Sequence, residues 1–143
     1  MRLFKRSNPP LPAPPVLDRV PEFLAALAEL APMSGCGTYR FDNPDGACRG
    51  FVQFCTSPVG AVTIHRLWTP SPGHGNGSLM LQALCDLADI HGVHILLKAL
   101  PFGAKPYPMS RQLLADWYRR HGFEGTHRRM ARTPRAINVL EPA

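Results

Sequence analysis

The stretch from residue 68 to residue 78 has the residue types and spacing of a phosphate-binding loop. It reads Trp-Thr-Pro-Ser-Pro-Gly-His-Gly-Asn-Gly-Ser, and the apolar spacing of a helix begins at its last residue. Closely spaced glycines let successive backbone N–H groups converge on one anion, and a helix start adds unpaired donors and the positive end of its dipole. The residues expected to hold a phosphate group are Gly73, His74, Gly75, Asn76, Gly77 and Ser78.

Two common phosphate-binding loops do not fit this stretch. A P-loop ends in Gly-Lys-Ser/Thr, and the lysine is absent here. A dinucleotide-binding loop needs the spacing G-x-G-x-x-G with an acidic residue about 20 positions later, and its fold needs more room than this chain offers. The pyrophosphate loop of coenzyme A-dependent acyltransferases therefore stays open, together with a glycine-rich turn that binds nothing.

Two motifs resemble those of the GNAT superfamily of N-acetyltransferases. Residues 72–78, Pro-Gly-His-Gly-Asn-Gly-Ser, are similar to the family's acetyl-CoA loop, often Arg-Gly-x-Gly-x-Gly-Ser. Residues 114–123, Leu-Ala-Asp-Trp-Tyr-Arg-Arg-His-Gly-Phe, are similar to its L-x-x-F-Y-x-x-x-G-F helix end. Both motifs occur in the family's order, and the resemblance covers residues 60–125. The chain departs from the family at Pro72, usually Arg or Gln, and at Asn76, usually apolar.

The resemblance implies an enzyme that moves an acetyl group from acetyl-CoA, its cosubstrate, to a primary amine by direct attack in a ternary complex. Leu67 and Trp68, at the end of the preceding strand, would then hold the pantetheine arm. Tyr118 would protonate the departing thiolate, although its apolar helix stripe equally predicts a core tyrosine. The amine acceptor is left open between a small molecule, a protein and a nucleobase.

A general base is harder to assign, because the predicted strand over residues 61–68 contains no carboxylate. Its one side chain that titrates near neutral pH is His65, so we name His65 as the candidate base. The alternative is that His65 is a structural histidine held by hydrogen bonds in the sheet. Asp42, Asp45 and Glu124 are further carboxylates with no assigned place.

The elements that position these residues predict an α/β fold. We expect one GNAT-like domain, residues 17–143, with a mixed β-sheet flanked by helices on both faces, preceded by a proline-rich N-terminal arm, residues 1–16. Apolar periodicity and turn residues predict the elements. They are helices over 17–31, 78–91 and 110–121, and strands over 38–41, 49–55, 61–68, 93–100, 126–132 and 136–140.

The charge balance favours an anionic partner. The chain of 143 residues has a net charge of +6, and seven arginines lie between residues 111 and 135. This arginine-rich C-terminal face could contact the coenzyme's 3′-phosphate or nucleic acid, or could simply be solvated. A non-catalytic basic module of the same fold, bound to nucleic acid or to a larger assembly, is therefore the alternative function. An oligomer is compatible with either.

Other features of the sequence argue against a membrane-spanning segment and against a metal site. No apolar run reaches the ~18–20 residues of a membrane span, and prolines follow the basic start, so we expect a cytoplasmic protein without a membrane partner. The histidines lack a spacing that completes a metal site, so no metal is expected. The four cysteines have no CxxC spacing and are expected to be free, mostly buried thiols.

Overall fold

A computed structural model describes residues 18–70, 75–100 and 110–135, which form three helices and seven strands. The helices are α1 (Val20–Leu30), α2 (Asn76–His91) and α3 (Arg111–Arg120). The strands are β1 (Met33–Gly35), β2 (Thr38–Asp42), β3 (Cys48–Cys55), β4 (Ala61–Trp68), β5 (His94–Leu97), β6 (Glu124–Thr126) and β7 (Arg129–Arg132).

The seven described strands form one mixed sheet in the order β1-β2-β3-β4-β5-β7-β6. Strands β4 and β5 are parallel, and all the other neighbours are antiparallel. A parallel pair needs a long crossover connection, which α2 supplies. The predicted α/β class with a mixed sheet is confirmed.

The described helices pack on one face of this sheet, whereas the sequence predicted helices on both faces. Helix α2 lies over β3, where Met80 comes so close to Gly50 that a β-carbon added to the glycine would be 2.5 Å from the methionine Sδ. Helix α3 lies beside α2. Arg132, which points from β7 to the same face, bonds both to Asp89 of α2 and to the carbonyl of His121 at the C-cap of α3.

The hydrophobic core fills the space between helices and sheet. Burial of a large apolar side chain contributes about 1.5–3 kcal/mol, so these contacts supply most of the driving force for folding. The largest fully buried side chains are Phe23, Leu27, Val52, Met80, Leu81, Leu84, Cys85, Val93, Ile95, Phe123 and Met130.

Two helix ends and one strand lie where the sequence predicted them. The Ser110 side chain accepts a hydrogen bond from the Leu113 N–H at 3.2 Å and caps α3, as predicted. Gly92 ends α2 in the left-handed conformation, φ 67°, which glycine adopts without steric cost. Strand β4 has the predicted bounds.

The C-terminal strands differ from the prediction. The single strand expected over residues 126–132 is a hairpin, because β6 ends at Thr126 and β7 begins at Arg129. Its turn residues, His127 and Arg128, carry no glycine, proline or asparagine signal. Strand β1 was not predicted. The predicted strand over 136–140 and the N-terminal arm lie outside the described residues.

Two further results concern the cysteines and the length and hydropathy of the helices. The cysteines are free, but the expectation that most are buried is wrong: Cys85 is buried, whereas Cys36 and Cys55 are exposed. None of the helices in the described ranges is long and apolar enough to cross a membrane.

Candidate functional site

The parallel ladder between β4 and β5 stops before β4 does. Its last pair is Ile64 and Leu97, whereas β4 runs on to Trp68. Leu67 and Trp68, both half-buried, lie in this continuation. The ladder stops at the carboxyl end of β5 and four residues before that of β4, on the side of the sheet at which open α/β sheets bind ligands. The two strand residues expected to hold the pantetheine arm therefore lie at a suitable place in the sheet.

A β-bulge interrupts β4 at His65. Gln53 of β3 lies opposite Arg66 and Phe54 lies opposite Ile64, so His65 is the extra residue on the β4 side. Bulges locally re-aim side chains and are frequent next to active sites. His65 is exposed, and its ring makes no hydrogen bond within the described residues.

The N-terminus of α2 is rich in unpartnered donors. Its N-cap, Gly75, has φ 76° and no side chain with which to cap the helix, and the first turn contains no acidic residue. The first N–H groups of a helix have no intrahelical partner. Those of Asn76, Gly77 and Ser78 have no other acceptor among the described residues; the first N–H to be bonded is that of Leu79, to the Gly75 carbonyl at 3.1 Å. Gly73 and His74 lie outside the described residues.

Trp117 connects α3 to this helix start. Its indole Nε1–H donates to the Ser78 Oγ at 2.9 Å. The indole also lies against Gly77, where an added β-carbon would meet ring atoms at 3.6 and 3.7 Å. Trp117 was not among the predicted site residues. It stands beside Tyr118 in the family-like motif, but no sequence pattern links it to a serine 39 positions earlier.

Tyr118 is a buried side chain with an exposed fraction of 6%. Its ring contacts that of Trp117, with centroids 4.9 Å apart, and that of Phe123, at 5.3 Å. Burial raises the pKa of Tyr118 well above its ordinary value, so the phenol stays protonated at all ordinary pH values. Its hydroxyl has no hydrogen-bond partner within the described residues. Such a group can donate a proton but cannot serve as a base.

The alternative carboxylates are engaged or distant. Asp42 forms an ion pair with Arg40 at 2.7 Å. The Asp45 side chain accepts from the Ala47 N–H at 2.9 Å within the β2–β3 turn. Glu124 is exposed on β6, an edge strand of the sheet.

A second imidazole lies at the same end of the sheet as His65. His127 is in the β6–β7 turn, and its carbonyl accepts from the Ala99 N–H, just beyond β5, at 2.7 Å. Its Nε2 is buried without a hydrogen-bond partner among the described residues. In the same ranges, no group of three or more His, Cys, Asp and Glu side chains could hold a metal ion.

Comparisons with known proteins support the fold. No protein-family model matches the sequence, and no curated protein matches it. Among solved structures, the crystal structure of the anti-CRISPR protein AcrVA5 matches with a TM-score of 0.50 and 23% identity, over 66% of this chain and 97% of that chain. At this identity the likeness shows the fold alone, which is a mixed α/β fold as expected from the sequence.

Proposed function

We propose that this protein is an N-acetyltransferase that transfers the acetyl group of acetyl-CoA to a primary amine. The observation that carries the proposal is the junction of β4 and α2. Beyond the last β4–β5 pair, Ile64 and Leu97, the strand continues for four residues and is followed by a helix start with unpartnered N–H donors. A strand end and a helix start so arranged suit a long ligand with a diphosphate in its middle.

The coenzyme would bind along this junction. Residues 73–78 would take the diphosphate, through the N–H groups of the first turn of α2 and the positive end of its dipole. Leu67 and Trp68 would lie along the pantetheine arm. Backbone N–H groups of β4 near the His65 bulge would polarise the thioester carbonyl and stabilise the oxyanion that forms there.

The proposed reaction needs one proton donor and one proton acceptor. The amine nitrogen attacks the thioester carbonyl carbon, the C–S bond breaks, and the departing sulfur takes the Tyr118 hydroxyl proton. Burial raises the pKa of this phenol, and desolvation would raise the pKa of a departing thiol in the same direction.

The proton lost by the attacking ammonium would go to His65, directly or through water. His65 is exposed at the bulge, where an incoming amine can reach it. His127, at the same end of the sheet, is the comparison residue. We expect His65→Gln to lower kcat/KM strongly and His127→Gln to leave it near the wild-type value. The opposite result would assign the base to His127.

Coenzyme A binding tests the proposal most directly. A ligand that binds only the folded state at 100 times its Kd stabilises that state by about 2.7 kcal/mol. We expect millimolar CoA to raise the Tm, and acetyl-CoA with a panel of amines to release free thiol. Gly75→Asp serves as the matched variant that should lose the Tm shift. Absence of any Tm shift in the wild type would contradict the proposal.

A basic binding module of the same fold is the second candidate, and a specific observation favours it. Arg120, Arg128 and Arg129 are exposed and have no acidic partner within the described residues. Burial lowers the pKa of His121, and the positive charges of the neighbouring Arg120 and Arg132 lower it further. Binding of single-stranded DNA or RNA that weakens steeply with salt, without any effect of CoA, would favour this candidate.

A further inference from the structure

The hydrogen bond between Trp117 and Ser78 connects α3, which carries the proposed proton donor, to the first turn of α2, where the diphosphate would bind. An indole N–H can only donate, so the Ser78 oxygen must be the acceptor in their 2.9 Å contact. The indole is held in place on other sides, because it lies against Gly77 and its ring contacts those of Tyr118 and His121. The direction from which the Ser78 oxygen accepts this hydrogen bond is therefore set by packing.

This contact determines what the serine can still do. With one lone pair of its oxygen bonded, the hydroxyl hydrogen must point elsewhere, and it has no acceptor among the described residues. The Gly75 carbonyl, three residues earlier, already accepts the Leu79 N–H at 3.1 Å. Within the described residues, the hydroxyl hydrogen is thus left over as a donor in the first turn of α2, beside three backbone N–H groups that also lack acceptors there.

We propose that Trp117 is a positioning residue that orients the Ser78 hydroxyl as a donor to a phosphate oxygen at the N-terminus of α2. This inference rests on the proposed function, since the phosphate is that of coenzyme A. A hydrogen bond to a charged oxygen is about twice as strong as a neutral one, so the hydroxyl orientation affects ligand affinity. Trp117 would thereby link the binding of a phosphate group at the first turn of α2 to α3, the helix that carries Tyr118.

Two substitutions distinguish an effect on the orientation of the Ser78 hydroxyl from an effect on the packing of Trp117. Trp117→Phe keeps an aromatic ring against Gly77 and removes the N–H, and Ser78→Ala removes the hydroxyl. We expect each variant to raise the Kd for CoA three- to tenfold, and the double variant to be no worse than either one, because both changes remove the same bond. With acetyl-pantetheine, which lacks the phosphates, the loss in kcat/KM should be clearly smaller than the loss with acetyl-CoA.

A control on the same helix is Gln112→Ala. The Gln112 side chain is exposed and bonds only to Asp116 within the described residues, so this variant should bind CoA like the wild type. Additive losses in the double variant, or an equal loss with acetyl-pantetheine and acetyl-CoA, would show that Trp117 acts only through packing and would overturn the inference.

A second measurement does not depend on catalysis. The chain contains two tryptophans, so an ¹⁵N-labelled sample gives two indole N–H signals. Addition of inorganic pyrophosphate or CoA should shift the Trp117 signal in the wild type and leave it unmoved in Ser78→Ala. A shift with pyrophosphate but no CoA binding would sustain the role of Trp117 toward a bound phosphate group, and would reject both coenzyme A as the ligand and the acetyltransferase. CoA binding without the shift would reject the inference alone, and no response to either ligand would reject both.

Discussion

At the scale of single residues, the site depends on two groups whose behaviour follows from their surroundings. Burial raises the pKa of Tyr118 and so keeps its phenol protonated, which is the form that the proposed proton donor needs. Gly75 is a helix N-cap in the left-handed conformation that presents no side chain. Both features are open to substitutions that change one property at a time.

Tyr118→Phe keeps the ring and removes the hydroxyl. Since the hydroxyl makes no hydrogen bond within the described residues, the free energy of unfolding should fall by less than ~1.5 kcal/mol. Loss of a general acid costs 10²–10⁴-fold in rate, so kcat for acetyl transfer should drop by about that factor while CoA affinity stays near normal. An unchanged kcat, in an assay limited by chemistry, would return Tyr118 to a purely structural role.

Gly75→Asp and Gly75→Asn form a matched pair that differs in charge. Asn and Asp tolerate the left-handed backbone better than other side chains do, and an added β-carbon meets none of the described residues within 4 Å. The aspartate should stabilise α2 through the helix dipole, by about 0.3–1 kcal/mol relative to asparagine. It should also weaken CoA binding at least tenfold relative to asparagine, as measured by calorimetry. Equal affinities would remove the diphosphate from this helix end.

At the scale of elements, a buried ion pair holds the two helices of the site to the sheet. Arg132 of β7 is bonded through both terminal nitrogens to Asp89 of α2, at 2.7 and 3.1 Å, and through Nε to the His121 carbonyl at 2.8 Å. Burial by itself would raise the pKa of Asp89, but hydrogen bonds from Arg132 and from the Arg135 N–H lower it overall. The C-terminal ends of α2 and α3 are thereby attached to one strand.

Asp89→Asn should be strongly destabilising at neutral pH. It leaves the Arg132 guanidinium, 3% exposed, without its counter-charge, and loss of one partner of such a pair costs about 3–5 kcal/mol. A carboxylate whose folded-state pKa is lowered contributes stability that is complete near pH 7 and is lost as the pH falls below about 4. Urea unfolding at pH 7 and pH 3 should therefore show a difference from wild type that shrinks at the lower pH.

Asp116→Asn is the control for this measurement. Its partner is Arg119 at 2.7 Å, but both side chains are substantially exposed, and exposed pairs contribute only about 0–1 kcal/mol. A comparable loss in both variants, or a pH-independent loss in Asp89→Asn, would contradict the role assigned to the buried pair.

Gly50 sets the distance between β3 and α2. An added β-carbon would lie 2.5 Å from both the Met80 Sδ and the Trp68 carbonyl oxygen, so Gly50→Ala should cost about 1–3 kcal/mol in the free energy of unfolding. The strand backbone at Trp68 must also move, which should weaken CoA binding. Gly35→Ala adds the same methyl group where nothing lies within 4 Å and should change stability by at most ~0.5 kcal/mol. Equal effects at both positions would contradict the close approach.

At the scale of the whole molecule, the first described helix is held to the domain by its own buried side chains. Helix α1 buries Phe23 and Leu27 and starts at Val20, with the Asp18 side chain accepting the Val20 N–H at 3.0 Å. The residues before it, the predicted proline-rich arm, lie outside the described ranges.

Deletion of residues 1–15 should therefore leave the domain folded. We expect the Tm to change by less than about 2 °C and the elution volume on gel filtration to report the same oligomeric state. A fall in Tm of ten degrees or more, or a change of oligomeric state, would show that the arm packs on the domain or on a neighbouring copy.

The sequence predicted those features that depend on neighbours along the chain. The Ser110 cap, the Gly92 helix end and the bounds of β4 each follow from a few adjacent residues, because capping, backbone strain and period-two burial act over one or two turns of chain. The His127–Arg128 turn was missed, because nothing in its residue types marks the break between two short strands.

Tertiary structure alone decided how the site is joined together. The Trp117–Ser78 bond spans 39 residues and the Arg132–Asp89 pair spans 43, and neither leaves a periodic or spacing signal. The same holds for the bulge at His65, which is defined by the register of β4 against β3. Such contacts depend on which surfaces the fold brings together, and that is a property of packing between distant segments rather than of local sequence.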